Sequence, residues 1–196
     1  MIILFALLGY LFGSIPFGLI LVKAAGLGDI RDIGSGNIGT SNVLRTGRKD
    51  LALATLILDA AKGAIAFALT YWIFKQSYDV ALIAGFAAVI GHNYSIWLKF
   101  KGGKGVATSL GLYLVASPLV AFVTIIIWLI VAIITRISSL AAMTALLVTP
   151  FVAYLYHDKT LAIVSFLLWI LCMFRHKDNI KRILNGTENK IGSSKK

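Results

Sequence analysis

The feature that most constrains this chain is a succession of apolar runs at residues 2–22, 51–74, 80–98, 106–134, 137–156 and 161–174. A water-soluble core of this size could not hide them all. About 20 helical residues cross the hydrocarbon layer of a bilayer, and lipid is the solvent that accommodates such runs. Composition agrees, with 59% of residues apolar and 14% charged, where a soluble domain has about 45–50% and about 25%. The expected fold is an all-α integral membrane protein, with residues 1–196 as a single polytopic domain. Residues 2–22 lack a basic leader and a small-residue cleavage site and contain Gly13-Ser14-Ile15-Pro16. They read as a first span rather than a secretion signal.

The run 106–134 is longer than one span requires and contains Ser117-Pro118. Proline either kinks one long helix or opens a hairpin between two short ones. Charge decides. With two helices there, the chain has about seven transmembrane helices, and residues 23–50, 99–105, 135–136 and the tail from Arg175 share one side. That side then carries every one of the 19 lysines and arginines except Lys62, inside a span, and Lys75 and Lys159, on the other side. The tail's share includes Lys190, Lys195 and Lys196. The positive-inside rule places the N-terminus outside and the C-terminus in the cytoplasm. A net charge of +11 therefore reports topology rather than nucleic-acid binding. Residues 106–117 supply only about 18 Å of helix against a core of about 30 Å, so that element extends into its polar flanks or stops inside the membrane.

Three polar segments fall on the basic side. The first, Gly28 to Arg45, contains G-x-G-x-x-G at Gly34, Gly36 and Gly39. No strand or βαβ unit surrounds it, so it is not a dinucleotide fingerprint. Glycines still let backbone N–H groups converge on an anion. Ser35, Asn37, Thr40, Ser41 and Asn42 add neutral donors and Arg45 a charged fork. The second segment, Phe100-Lys101-Gly102-Gly103-Lys104-Gly105, precedes an apolar helix, a setting suited to phosphate. Headgroup anchoring accounts for Lys99 and Lys101, but not for the glycines, and Lys104 is read as a ligand. In the third segment, Ile180, Ile183 and Leu184 mark a short amphipathic helix along the interface, with His176 before it, Asn179 beside it and Glu188, the only glutamate, after it. A lipid-binding tail would explain the lysines there, but not these three residues.

Inside the spans, Asp59 and Lys62 are three apart and can pair on one helix face, either as a neutralised structural pair or as a functional one. His92 is either a hydrogen-bonded core histidine or a ligand. Ser138 and Ser139 either cap their helix or face the same site as the three segments. The single cysteine, Cys172, forms no internal disulfide, and no Cys/His or carboxylate spacing suits a metal.

Together the segments resemble the acyl-phosphate-dependent glycerol-3-phosphate acyltransferases of bacterial membranes. That family's GSGN-x-G-x-x-N-x-x-R corresponds to Gly34–Arg45, its FKGGKGVAT to Phe100–Thr108 without change, and its H-x-x-N-I-x-R-x-L-x-G-T-E-x-K to His176–Lys190. Gly13–Gly18 and Leu58–Gly63 also fit, so the resemblance covers essentially the whole chain. Thr40-Ser41 stands where Ala-Thr is usual and Ser95 where Pro is common.

The resemblance implies acyl transfer from acyl phosphate to the 1-hydroxyl of sn-glycerol 3-phosphate, yielding lysophosphatidic acid and phosphate, at the cytoplasmic face of a bacterial inner membrane. The expected partners are those two substrates and the lipid bilayer, with no nucleic acid, obligate protein partner, cofactor or metal. The residues expected to act are Ser35, Arg45, Lys104, His176, Asn179 and Glu188. Gly34, Gly36, Asn37, Gly39, Thr40, Ser41, Asn42, Gly102, Gly103 and Ser139 are expected around phosphate. The donor is already activated, so Ser35 need not be a nucleophile, and the base is either His176 or the leaving phosphate. A transporter of a phosphorylated anion would also use basic residues and broken helices, but the outer loops around Lys75–Asp79 and His157–Lys159 carry no polar motif. A structural subunit would not explain three such segments on one side.

Overall fold

The computed structural model describes residues 1–192, and every regular element among them is helical. Lys195 and Lys196, counted above with the basic tail, lie outside the described residues. Internal contacts group the chain into two compact units, Met1–Ala116 and the residues from Ser117 on.

The first unit contains α1 (Ile2–Gly13), α2 (Phe17–Ala24), the short α3 (Thr40–Val43), α4 (Lys49–Ala68), α5 (Tyr78–Asn93) and α6 (Val106–Ala116). Its helices meet through small residues. A methyl added to Gly9 or Gly13 of α1 would run into the backbone of Ala84 or Ala88 in α5, and one on Gly91 of α5 would meet the Tyr10 carbonyl. Helices α4 and α6 are matched reciprocally, Gly63 against the Thr108 carbonyl and Gly111 against that of Ala60. In lipid, where exclusion of water does not drive helices together, such close backbone approach is a main source of association. Ser14-Ile15-Pro16 separates α1 from α2, and the Ser14 carbonyl accepts a 2.6 Å hydrogen bond from Ser95 Oγ. Ser95 thus fastens the end of α5 to that break. A π-helical turn, Leu69–Ile73, ends α4, and Tyr71 there packs with Phe67, Trp72 and Tyr78.

The second unit contains α7 (Pro118–Thr135), α8 (Ser138–Tyr156), α9 (Lys159–Arg175) and α10 (Lys177–Leu184). Helix α6 ends at Ala116 and α7 begins at Pro118 after an extended Ser117, so run 106–134 is two helices. Thr124 and Thr149 join α7 to α8 by a buried 2.9 Å hydroxyl contact beside Pro150. The N-cap of α8 is Ile137, with no side-chain cap. The capping alternative for Ser138 and Ser139 is therefore corrected, since both already lie within the helix.

Among the described residues, five stretches are long and apolar enough to cross a membrane: Ile2–Ala24, Lys49–Ile73, Tyr78–Leu98, Pro118–Thr135 and Ser138–Tyr156. Helices α9 and α10 bend by 63° relative to one another. Helix α6, at 11 residues, spans only about 16 Å. Outward side chains such as Ile3 at 76%, Ile134 at 76% and Leu155 at 71% exposure are suited to lipid rather than water.

Candidate active site

In the first unit, the loop between α2 and α4 is held from two directions. Ile30, Ile38 and Val43 are buried with Leu19, Val22, Ala52 and Leu98, which pins the loop to its flanking helices. Over this cluster Asn42 acts as a hub. Its Oδ1 accepts from the Ser35 N–H at 2.9 Å and the Ser35 hydroxyl at 3.2 Å. Its Nδ2 donates to the carbonyls of Ile30, Ile33 and Asn37 at 2.9, 2.9 and 2.8 Å. Asn42 was expected to contact phosphate; the structure uses its amide to hold the loop together.

The loop's backbone donors are also engaged internally. Gly36 N–H donates to the Ile33 carbonyl, and Gly39 N–H to Asn37 Oδ1 at 2.9 Å. Positive φ at Gly34 (57°) and Gly36 (68°) makes the turn. The Gly34 Cα lies against the Arg45 side chain and Asn42 Oδ1, so Gly34, Ser35, Asn42 and Arg45 form one group. Gly34, Ser35 and Arg45 are exposed at the loop surface, and Asn42 is buried. Ser41 is exposed, whereas Thr40 Oγ1 is buried without a hydrogen-bond partner among the described residues. Near the start of the loop, Asp29 accepts from the Arg31 N–H and pairs with its guanidinium at 2.6 Å and with Lys23 at 3.4 Å. Hydrogen bonds from the Arg31 side chain and backbone hold the Asp29 carboxyl well below the usual carboxylate range.

The second glycine segment lies on the end of α5. Gly103 N–H donates to the His92 carbonyl at 2.8 Å and Gly102 N–H to that of Asn93 at 3.1 Å. These amides, expected around phosphate, thus bind the segment to α5. Lys99 and Phe100 both adopt left-handed backbone conformations, φ 51° and 64°, an uncommon state for residues with a Cβ. Lys104 is half-buried between Gly103 and Gly105. Asp59 and Lys62 form the expected pair, at 2.8 Å and almost fully buried.

In the second unit the focus is Glu188. Its Oε1 accepts from the Ser139 hydroxyl at 3.0 Å and from Asn179 Nδ2 at 2.6 Å, and its Oε2 from Arg182 Nε at 2.7 Å. The structure thus unites Ser139, Asn179 and Glu188 with Arg182, which the sequence reading did not single out. Its spacing from Glu188 across a turn was the available signal. The Ile191 N–H and carbonyl bond to Arg136, tying the residues after Glu188 to the start of α8. His176, 2% exposed, places Nδ1 2.9 Å from the Cys172 carbonyl and 3.2 Å from Cys172 Sγ. A carbonyl oxygen can only accept, so Nδ1 carries a proton, and in the neutral ring Nε2 is the basic nitrogen.

In the first unit Arg45 and Lys104 are cations suited to an oxyanion; in the second, His176 is a group able to exchange a proton. Among the described residues, no three His, Cys, Asp or Glu side chains cluster as metal ligands.

Burial opposes ionisation of Glu188, but hydrogen bonds from Asn179, Arg182 and Ser139 prevail and hold its carboxyl below the usual glutamate range. A depressed folded pKa stabilises the protein above the unfolded value, about 4.3, and that contribution is lost as pH falls through the folded value. Melting of the purified protein followed against pH should show an acid limb that Glu188→Gln removes in part. Identical acid limbs for the two proteins would contradict the brace.

The family described as glycerol-3-phosphate acyltransferase matches residues 3–186. A glycerol-3-phosphate acyltransferase of Paramagnetospirillum magneticum is 53% identical over 188 residues, covering 96% of this chain and 92% of the relative. Glycerol-3-phosphate acyltransferase 1 of Rhizobium johnstonii is 50% identical over 189 residues, covering 96% and 90%. The crystal structure of PlsY (YgiH), an integral membrane glycerol 3-phosphate acyltransferase, in its glycerol 3-phosphate form matches with a TM-score of 0.91 at 34% identity, over 97% of this chain and 96% of that one. Its lysophosphatidic acid form matches with a TM-score of 0.89 at 33% identity, over 97% and 95%. Similarity along nearly the whole length, in sequence and in fold, makes this chain an integral membrane protein that belongs to the glycerol-3-phosphate acyltransferase family.

Proposed function

We propose that the protein transfers an acyl group from an acyl phosphate to the 1-hydroxyl of sn-glycerol 3-phosphate, releasing lysophosphatidic acid and inorganic phosphate. The observation that carries this reading is its likeness to a solved acyltransferase known in glycerol 3-phosphate and lysophosphatidic acid forms. The glycerol oxygen attacks the acyl carbonyl carbon, the new ester bond forms, and the bond from that carbon to the phosphate oxygen breaks. The hydroxyl proton passes to His176 Nε2 or to the departing phosphate. Negative charge grows on that phosphate, where Arg45 and Lys104 stabilise it more strongly than in the ground state. The Ser35 hydroxyl donates to the Asn42 amide oxygen and has no base beside it, so it is not an activated nucleophile. Glu188 acts by holding Ser139 and Asn179 in place.

An acyl phosphate supplies the phosphoryl group that these residues suit, next to the reacting carbonyl. The H-x-x-x-x-D motif of thioester-dependent acyltransferases is missing: Trp97, Ala162 and Lys181 follow His92, His157 and His176 at that spacing. The decisive assay supplies purified protein with glycerol 3-phosphate and, in turn, acyl phosphate, acyl-CoA or acyl carrier protein, and follows lysophosphatidic acid. Turnover should require the acyl phosphate; comparable turnover with acyl-CoA would refute the donor assignment.

Arg45→Ala and Lys104→Ala should each lower kcat/KM by roughly 10- to 150-fold, the loss of a charge-assisted contact of about 1.5–3 kcal/mol. Lys101→Ala, at an exposed position, should change it far less. Equal losses in all three folded variants would reduce both segments to membrane anchors.

The same reading places seven helical segments across or into a bacterial inner membrane, N-terminus outside, with the chemistry at the cytoplasmic face. Supporting it, exposed Tyr71, Trp72, Phe74, Tyr154 and Tyr156 sit at helix ends remote in sequence from the basic loops, as interfacial aromatics do. Accessibility tags within residues 24–50 and after Lys196 should be cytoplasmic and one at Ser77 external. An external C-terminal tag would overturn the arrangement.

A further inference from the structure

Lys62 is a fully buried cation with no part in the reaction above. Its Nζ lies 2.8 Å from Asp59 Oδ1, 2.8 Å from the Ile15 carbonyl and 3.0 Å from His92 Nδ1. An ammonium has three hydrogens to donate and no lone pair, and here it has three acceptor neighbours. His92 Nδ1 lies 3.0 Å from Lys62 Nζ, which can only donate, and 3.5 Å from Asp59 Oδ1, which can only accept; the shorter contact makes Nδ1 the acceptor and puts the ring proton on Nε2. That Nε2 faces the second glycine segment, where a methyl on Gly103 would overlap it. The next residue repeats the arrangement: the Asn93 amide lies against Gly105, whose φ is 80°. Lys104 is thus held between two glycines, each seated on one of two consecutive residues at the end of α5. The carbonyls of those residues also take the Gly103 and Gly102 N–H groups. The carbonyl that Lys62 reaches in the first span, Ile15, follows Ser14, whose own carbonyl is tied to Ser95.

We propose that Asp59, Lys62 and His92 are positioning residues for Lys104. The ion pair fixes the tautomer and tilt of the His92 ring, and the ring sets the path of Gly103 and so the place of the Lys104 ammonium. A self-neutralising pair whose only task was to join helices would not need the imidazole. Removing ions from water is costly, and well-packed apolar side chains often hold helices as well or better. The orientation of a neighbour is what a buried pair adds. The inference rests on the reading of Lys104 as a phosphate ligand.

The test uses the full-length purified protein with both substrates under steady-state conditions. Lys104→Ala first identifies the substrate whose KM depends on Lys104. His92→Gln, and the charge-balanced pair Asp59→Asn with Lys62→Met, should raise that same KM by about 10-fold or more, as expected for a displaced binding group, and leave the other KM unchanged. Combining His92→Gln with Lys104→Ala should be no worse than Lys104→Ala alone. Should the cluster variants fail to fold, Gly103→Ala addresses the same contact from the loop side. It should reproduce the KM signature and be partly rescued by adding His92→Ala. Losses that multiply in the combined variant, or a Gly103→Ala protein with both KM values unchanged, would overturn the proposal. Unchanged kinetics in Lys104→Ala would instead remove the phosphate role on which it rests.

Discussion

At membrane depth, and in tight loops beside it, a polar group that finds no partner in the protein has little water to turn to. That constraint organises both units through three saturated hubs. Asn42 satisfies two donor groups of Ser35 and three carbonyls with one amide. Lys62 meets three acceptors with three hydrogens. Glu188 takes hydrogen bonds from Ser139, Asn179 and Arg182. Truncating a hub would strand several polar groups at once, each at about 1–3 kcal/mol where it is buried.

The hubs divide the family's motif residues into two kinds. Some hold the scaffold: Asn42, Gly102, Gly103 and Glu188 direct their polar groups at other parts of the chain. Others direct a charge outward, Arg45 at the surface of the first loop and the half-buried Lys104 between its two glycines, while the buried His176 has its Nδ1 proton committed to Cys172. The division suits the proposed reaction, whose donor is already activated. What the protein has to supply is then placement and positive charge, both of which depend on a rigid frame.

The helical membrane fold was legible because runs such as 51–74 and 137–156 leave no soluble alternative, and Ser117-Pro118 marked the break between α6 and α7. The Asp59–Lys62 pair followed from its spacing, and α10 from Ile180, Ile183 and Leu184. Less legible was the use made of each polar group. Glycine amides in sequence look equally ready for an anion or a carbonyl, and only the fold reveals that the end of α5 lies close enough to take those of Gly102 and Gly103. Ser139 read as a cap or a ligand because its partner, Glu188, is remote in sequence. Arg182 read as one more basic residue of the tail until the chain past Gly186 returned Glu188 to it.

The central claim is that phosphate is held by presented cations while the glycine amides stay bound to the protein. The most direct measurement is a crystal structure of this chain with glycerol 3-phosphate bound. The account predicts phosphate oxygens within hydrogen-bond reach of the Arg45 guanidinium or the Lys104 ammonium, with the Asn42 hydrogen bonds and the Gly102 and Gly103 bonds to α5 intact. A phosphate cradled by the Gly102 and Gly103 amides, released from the carbonyls of Asn93 and His92, would contradict it.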